Sequence, residues 1–301
     1  MKIAILTKLP KYYTEQRIQE EAEKRGHTVE MLRYPACYVM LSEEGSKIFY
    51  KGQELEAYDA VIPRSFAGSS AYGTAILRQF EVMGAYALIK SIAIIRSTDS
   101  LRSMQLLARE GVPVPRTVFL REPDQADELI DQVGLPAVVK VASTTRRGNT
   151  VLAETRKAVT SVIRAFYVND ATFLLQEYVN NADSQSVRAV VVGSSVVASV
   201  AKSDSSFSMS SGSDHANQYD KIAVLSEAQK KIAVKAAKAI GLVMCTVDMI
   251  ISKDRTVVLA LSPYFGLENV EKVTKRNVAG KIIEYIEMNA KRRNKKDKVG
   301  A

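Results

Sequence analysis

Cysteine, histidine and long apolar runs are scarce in this chain, and each shortage removes a class of protein. Two cysteines, Cys37 and Cys245, are too few for a disulfide framework. They suit a reducing compartment, and Cys245 reads as a small buried filler. No run of eighteen apolar residues occurs, and the opening MKIAILTKLPKYY turns polar too early for a signal peptide. The expectation is a cytoplasmic chain without membrane contact. Of the two histidines, His215 stands beside Asp214 in a polar loop and reads as solvated. Glycine is missing from TKLPKYY, the turn after the first apolar run, so no dinucleotide site of the Rossmann kind is expected there.

A further absence raises the main question. Residues 247–272 read VDMIISKDRTVVLALSPYFGLENVEK, two β-branched runs around the turn Ser252-Lys253-Asp254-Arg255, which is a hairpin pattern. Asp248 lies among apolar neighbours, where an unpaired carboxylate is costly. A metal ion is one common partner, yet the facing run VVLALS offers neither carboxylate nor amide.

What is present supports a sizeable core. The chain has 301 residues, 47% of them hydrophobic, enough for two or three subdomains. Its net charge is 42 − 33 = +9, much of it in KRRNKKDK at 291–298. Such a tail is expected to be a solvated, disordered end that binds polyanions weakly. Met1–Leu6, then a helical TEQRIQEEAEKRGH, then HTVEMLR give a strand–helix–strand opening of an open α/β sheet. YDAVIPR is a third strand and TAILRQFEVMGAYAL a helix. Asp99 is placed to cap SLRSMQLLAREG, which Gly111 ends. After the prolines of GVPVPRTVFL, a helix over 123–133, a strand LPAVVKVA, a helix over 156–166 and a strand TFLLQEYV follow. VRAVVVG and SVVASVAKS form a hairpin about Gly193-Ser194. Residues 203–213 hold seven serines in eleven and read as a flexible loop. Ser226 and Gln229 are spaced as a capping box for a helix ended by Gly241, and the helix over 280–289 closes the fold.

DAVIPR, YGTAILRQFE, LRSMQLLAREGVPVP, VLAETRKAV, QEYV, GLENVEK and NVAGKIIEYIE together span most of the chain. On these stretches it resembles the ATP-grasp superfamily, most closely the RimK type, which adds glutamate to the C-terminus of a small-subunit ribosomal protein. The resemblance implies an ATP-grasp fold, α/β with an α+β clamp, behind an N-terminal open α/β domain. It places the N-terminal pre-ATP-grasp domain at 1–95 and the ATP-grasp domain at 96–290, with a lid subdomain over about 110–182, a C-terminal subdomain over about 183–290, and the tail at 291–301. It also implies ATP as cofactor, a ribosomal protein or a related ligase subunit as partner, and a homo-oligomer.

In such ligases an Asp and a Glu-x-Asn on the closing hairpin hold two magnesium ions, which neutralise the triphosphate while a carboxylate becomes an acyl phosphate. Here Asp248 remains, while Ala260 and Ser262 stand for the other two, so magnesium is in doubt and the metal site reads as vestigial. A lysine expected at a phosphate contact is Ser100, an acid before Arg188 is Ser186, and the lid TTRRGNT keeps one glycine. Other positions persist: Lys140 for phosphate, Glu177, Tyr178 and Val179 for the adenine-reading segment, Arg188 for substrate or phosphate, and Arg146 and Arg147 as lid contacts. Three readings follow: an impaired or inactive ligase relative kept for nucleotide binding or regulation, an active glutamate ligase with relocated metal ligands such as Glu268, and an interaction subunit that co-assembles with a true ligase.

Overall fold

The computed structural model describes residues 1–43, 45–64, 66, 70–142, 150–167, 172–179, 183–203 and 219–290. Arg146, Arg147, His215, most of the serine-rich loop and the basic tail lie outside the described residues.

The strand Lys2–Thr7 is buried from Ile3 to Leu6, as expected of a central parallel strand covered on both faces. It pairs in parallel with Thr28–Arg33 on one side and Ala60–Pro63 on the other, and Tyr86–Ala87 completes a four-stranded sheet. The expected helix through TAILRQFEVMGAYAL is instead Ser70–Val82. Gly84, at φ +92°, breaks it, and the chain then forms the short strand Tyr86–Ala87. Between the second and third strands lies an antiparallel sheet of Cys37–Ser42, Gly45–Tyr50 and Gln53–Glu54, which periodicity alone did not indicate. Asp99 caps the helix Ser100–Arg109 by accepting from the Arg102 amide.

The second of the three larger sheets is antiparallel and runs Thr150–Ala153, Ala137–Ala142, Thr172–Glu177, Thr117–Leu120. The helices Ala126–Val133 and Arg156–Tyr167 cover one face, around a separate core that includes Ile130, Val139, Ile163 and Phe173. A third, five-stranded antiparallel sheet runs Lys221–Ile222, Ser195–Ala201, Gln185–Val192, Met244–Ile251, Thr256–Ser262. Helix Glu227–Ile240 carries the Ser226–Gln229 capping box and ends at Gly241, φ +88°. Its Ala233, Ala236 and Ile240 join one core with the first and third sheets. A small apolar cluster, Val179 with Ile250 and Val257, links the segment after strand Thr172–Glu177 to the third sheet.

Candidate functional site

Antiparallel register places Arg188 opposite Asp248, and Asp248 opposite Ala260, across three strands of the third sheet. The lone carboxylate has a partner there. Arg188 Nε donates to Asp248 Oδ1 at 2.7 Å and Nη2 to Oδ2 at 3.0 Å, a two-pronged pair that engages both oxygens. The pair is largely enclosed, with side-chain exposures of 14% and 17%. Burial by itself would lower the Arg188 pKa, but the charge and hydrogen bonds of Asp248 outweigh it and the pKa is raised.

Two neighbours extend this cluster. The Arg188 guanidinium lies 4.5 Å from the centroid of the buried Tyr219 ring. The buried ammonium of Lys202 lies 5.4 Å from the same ring. Lys202 is opposite Ser186, whose carbonyl accepts from the Lys202 amide at 3.1 Å. Burial lowers the Lys202 pKa, partly offset by Asp248 and reinforced by Arg188. Ala260 carries no donor atom, and the Ser262 hydroxyl donates to the Tyr264 carbonyl at 2.7 Å. Among the described residues no three His, Cys, Asp or Glu side chains group to hold a metal ion. Glu268 is exposed in the first turn of helix Leu267–Thr274.

Lys140 stands on the second sheet, opposite Leu174 and Thr150. Ala137 and Val139 point into that sheet's core, so Val138 and Lys140 occupy the other face. Lys140 has no hydrogen-bond or ion-pair partner among the described residues, and desolvation lowers its pKa from 10.5 to about 8.

The segment expected to read adenine carries further bonds. Glu177 accepts from the Arg116 amide at 3.0 Å, from Arg116 Nε at 3.1 Å and from Arg255 Nη1 at 3.1 Å. Burial would raise its pKa, but these bonds hold it below the usual carboxylate value. Arg116 opens the second sheet and Arg255 sits in the hairpin turn, so Glu177 ties the two together. Val179 packs on Ile250 and Val257, and Tyr178, which precedes Val179, is half-buried. Ser100 is the first residue of the helix that Asp99 caps.

Sequence reasoning treated Arg188 and Asp248 as separate candidates and did not join them. It passed over Lys202, Tyr219, Arg116 and Arg255. The alternation Ala198, Val200, Lys202 was the one available signal, because it sets Lys202 on the sheet face shared by Arg188.

The RimK PreATP-grasp domain matches residues 1–94 and the RimK-like ATP-grasp domain residues 97–286. A protein of Pseudoalteromonas atlantica named probable alpha-L-glutamate ligase 2 is 42% identical over 297 residues, 98% of each chain. A probable alpha-L-glutamate ligase of a Picosynechococcus species is 43% identical over 291 residues, 96% of each chain. The solved ATP-grasp ligase PsnB, complexed with minimal precursor, Mg and ADP, superposes with a TM-score of 0.74 at 20% identity, covering 96% of this chain and 98% of that one.

Proposed function

This chain belongs to the RimK-like ATP-grasp family, and on that premise we propose that it is a glutamate-ligase relative whose catalysis is impaired or lost and which is retained for nucleotide binding or regulation. The observation that carries the proposal is the two-pronged Arg188–Asp248 pair facing Ala260. Magnesium needs several oxygen ligands in near-octahedral array and gives up its water reluctantly. The residues here do not fit it. Asp248 would have to release Arg188, Ala260 offers nothing, and Ser262 is a neutral hydroxyl already donating to a carbonyl. The cations Arg188 and Lys202 beside the carboxylate oppose a further dication.

Acyl-phosphate formation needs charge stabilisation at the transferring group, where each contact is typically worth about 2–4 kcal/mol. Lys140 and Arg188 hold phosphate in the ground state, and uniform binding of that sort does not lower the barrier. Magnesium titration calorimetry with a non-hydrolysable ATP analogue tests this reading. Wild-type protein is expected to take up no stoichiometric magnesium. Ala260→Glu with Ser262→Asn is expected to gain uptake before any turnover, since Ser100 is unchanged. Stoichiometric, Asp248-dependent uptake by the wild type contradicts the proposal.

The second reading is an active glutamate ligase with relocated ligands. It is favoured by 42–43% identity, over nearly the full length, to relatives named as probable ligases. Magnesium uptake that survives Asp248→Asn but is lost in Glu268→Gln would support it.

A further inference from the structure

The small sheet of Cys37–Ser42, Gly45–Tyr50 and Gln53–Glu54 ends on an unguarded strand. Cys37–Ser42 is its outer member and pairs on one side only, with Gly45–Tyr50. Such edges are normally protected by charge, proline or a bulge, because unpaired backbone groups template further pairing. The run CYVMLS has no charged residue and no proline, and its register is regular from Cys37 to Ser42. The Lys51 amide donates to the Ala36 carbonyl, and bonded pairs alternate along an antiparallel ladder, so Tyr38 and Met40 direct their backbone groups at the Gly45–Tyr50 strand. Cys37, Val39 and Leu41 therefore turn theirs outward. The Cys37 carbonyl accepts from the Tyr72 hydroxyl. The N–H and C=O groups of Val39 and Leu41 have no partner among the described residues.

The side chains around this edge are apolar and exposed. Leu41 is 74% exposed, Tyr38 47% and Met40 46%. Helix Ser70–Val82 runs beside the same strand, since Tyr72 reaches Cys37 near its start and Gln79 donates to Ser46, the cross-strand partner of Leu41, near its end. It adds Tyr72, Val82 and the following Met83, all exposed. These six side chains present roughly 600 Å² per copy, so two copies bury about 1,200 Å² between them, the lower bound of a specific interface. A lone peptide strand covers Val39 and Leu41 but leaves the helix-borne side chains in water. We infer that a second copy of this chain covers the edge, with strand Cys37–Ser42 pairing antiparallel with its equivalent about a two-fold axis at Met40. That register sets Val39 opposite the second copy's Leu41 on both sides of the axis, and every outward N–H and C=O of the two residues is then bonded. Met40 lies against its own equivalent, and the two small sheets become one.

The test is analytical ultracentrifugation of the full chain over a dilution series. Wild type is expected to be a dimer that dissociates on dilution. Met40→Glu is expected to weaken the dimer about tenfold or more, because it sets two like charges face to face across the axis. Within its own copy the new carboxylate faces Lys47 across the ladder, which supports the hairpin. Met40→Lys is likewise expected to dissociate, and an equal mixture of the two variants is expected to regain the dimer. Leu41→Pro removes an outward N–H that the hairpin does not use, and it is expected to weaken the dimer as well. Met288→Lys, at an exposed apolar position on the last helix, is expected to leave association unchanged. Circular dichroism shows whether each variant is folded, and Leu41→Pro keeps the test decisive if Met40→Glu is not. Wild type that is monomeric at every concentration overturns the inference. A dimer indifferent to both Met40→Glu and Leu41→Pro overturns it too, by placing the contact elsewhere. Folded Met40→Glu and Met40→Lys proteins that fail to associate when mixed overturn the two-fold register at Met40.

Discussion

Asp248 and Arg188 are sixty residues apart in sequence and share two hydrogen bonds in the fold. Removing one partner of an enclosed pair leaves an uncompensated charge, at a cost of about 3–5 kcal/mol. Arg188→Met and Asp248→Leu are each expected to destabilise the protein on that scale in urea unfolding. The double variant is expected to lose much less than the sum, because both charges leave together. Additive losses would contradict a direct coupling. Lys140 makes a second prediction at this scale. Its pKa of about 8 lies below the ordinary 10.5, so the ammonium loses its proton early as pH rises. Nucleotide affinity is therefore expected to be flat below about pH 8 and to fall above it by up to tenfold per unit. Titration of binding against pH checks this, and a fall of the same size in Lys140→Gln contradicts it.

The first helix, Tyr13–Lys24, joins the two ends of the chain. Its Arg17 reaches Glu271 at 3.1 Å and Asn277 at 3.1 Å, and Asn277 donates to Glu21 at 3.0 Å. The Asn277 bond, with help from Arg17 and against burial, holds the Glu21 carboxyl at about 2. Because this folded value lies below the ordinary 4.5, the contribution to stability is complete above about pH 4.5 and is lost as pH falls toward 2. Glu21→Gln is expected to show a smaller drop in Tm between about pH 5 and pH 2 than wild type. An equal drop would place the acid sensitivity elsewhere. Elements with chemical punctuation were legible in the sequence: the Asp99 cap, the Ser226–Gln229 box and the Gly241 stop all stand where composition put them. The sheet around Cys37–Ser42 was not, because its first strand CYVMLS lacks alternation and leaves Tyr38, Met40 and Leu41 exposed. The site was legible as a set of residue types along the chain. The pairing of Arg188 with Asp248 was not, since register is set by long-range contacts that a local pattern does not carry.

At the scale of the whole molecule, charge is unevenly spread. Residues 291–301 hold six basic side chains and one acidic, a net 6 − 1 = +5, so 9 − 5 = +4 is left for the remainder. The tail has no aromatic residue for base stacking, and its binding to polyanions is expected to be weak, indifferent to sequence and steeply salt-dependent. RNA retention at low salt that is unchanged by deleting 291–301 contradicts this. The fold itself is that of the ATP-grasp family, with its sheets and cores intact. Fold follows packing, while chemistry depends on a few side chains in one cleft. The most direct test of the proposed loss of catalysis is a ligation assay of the purified protein with ATP, magnesium, glutamate and a glutamate-ended acceptor peptide, read by mass spectrometry. The expected result is no glutamate addition above background. Turnover by the wild type that is abolished by Asp248→Asn would contradict the account, because it would require a working metal site at the carboxylate that Arg188 occupies.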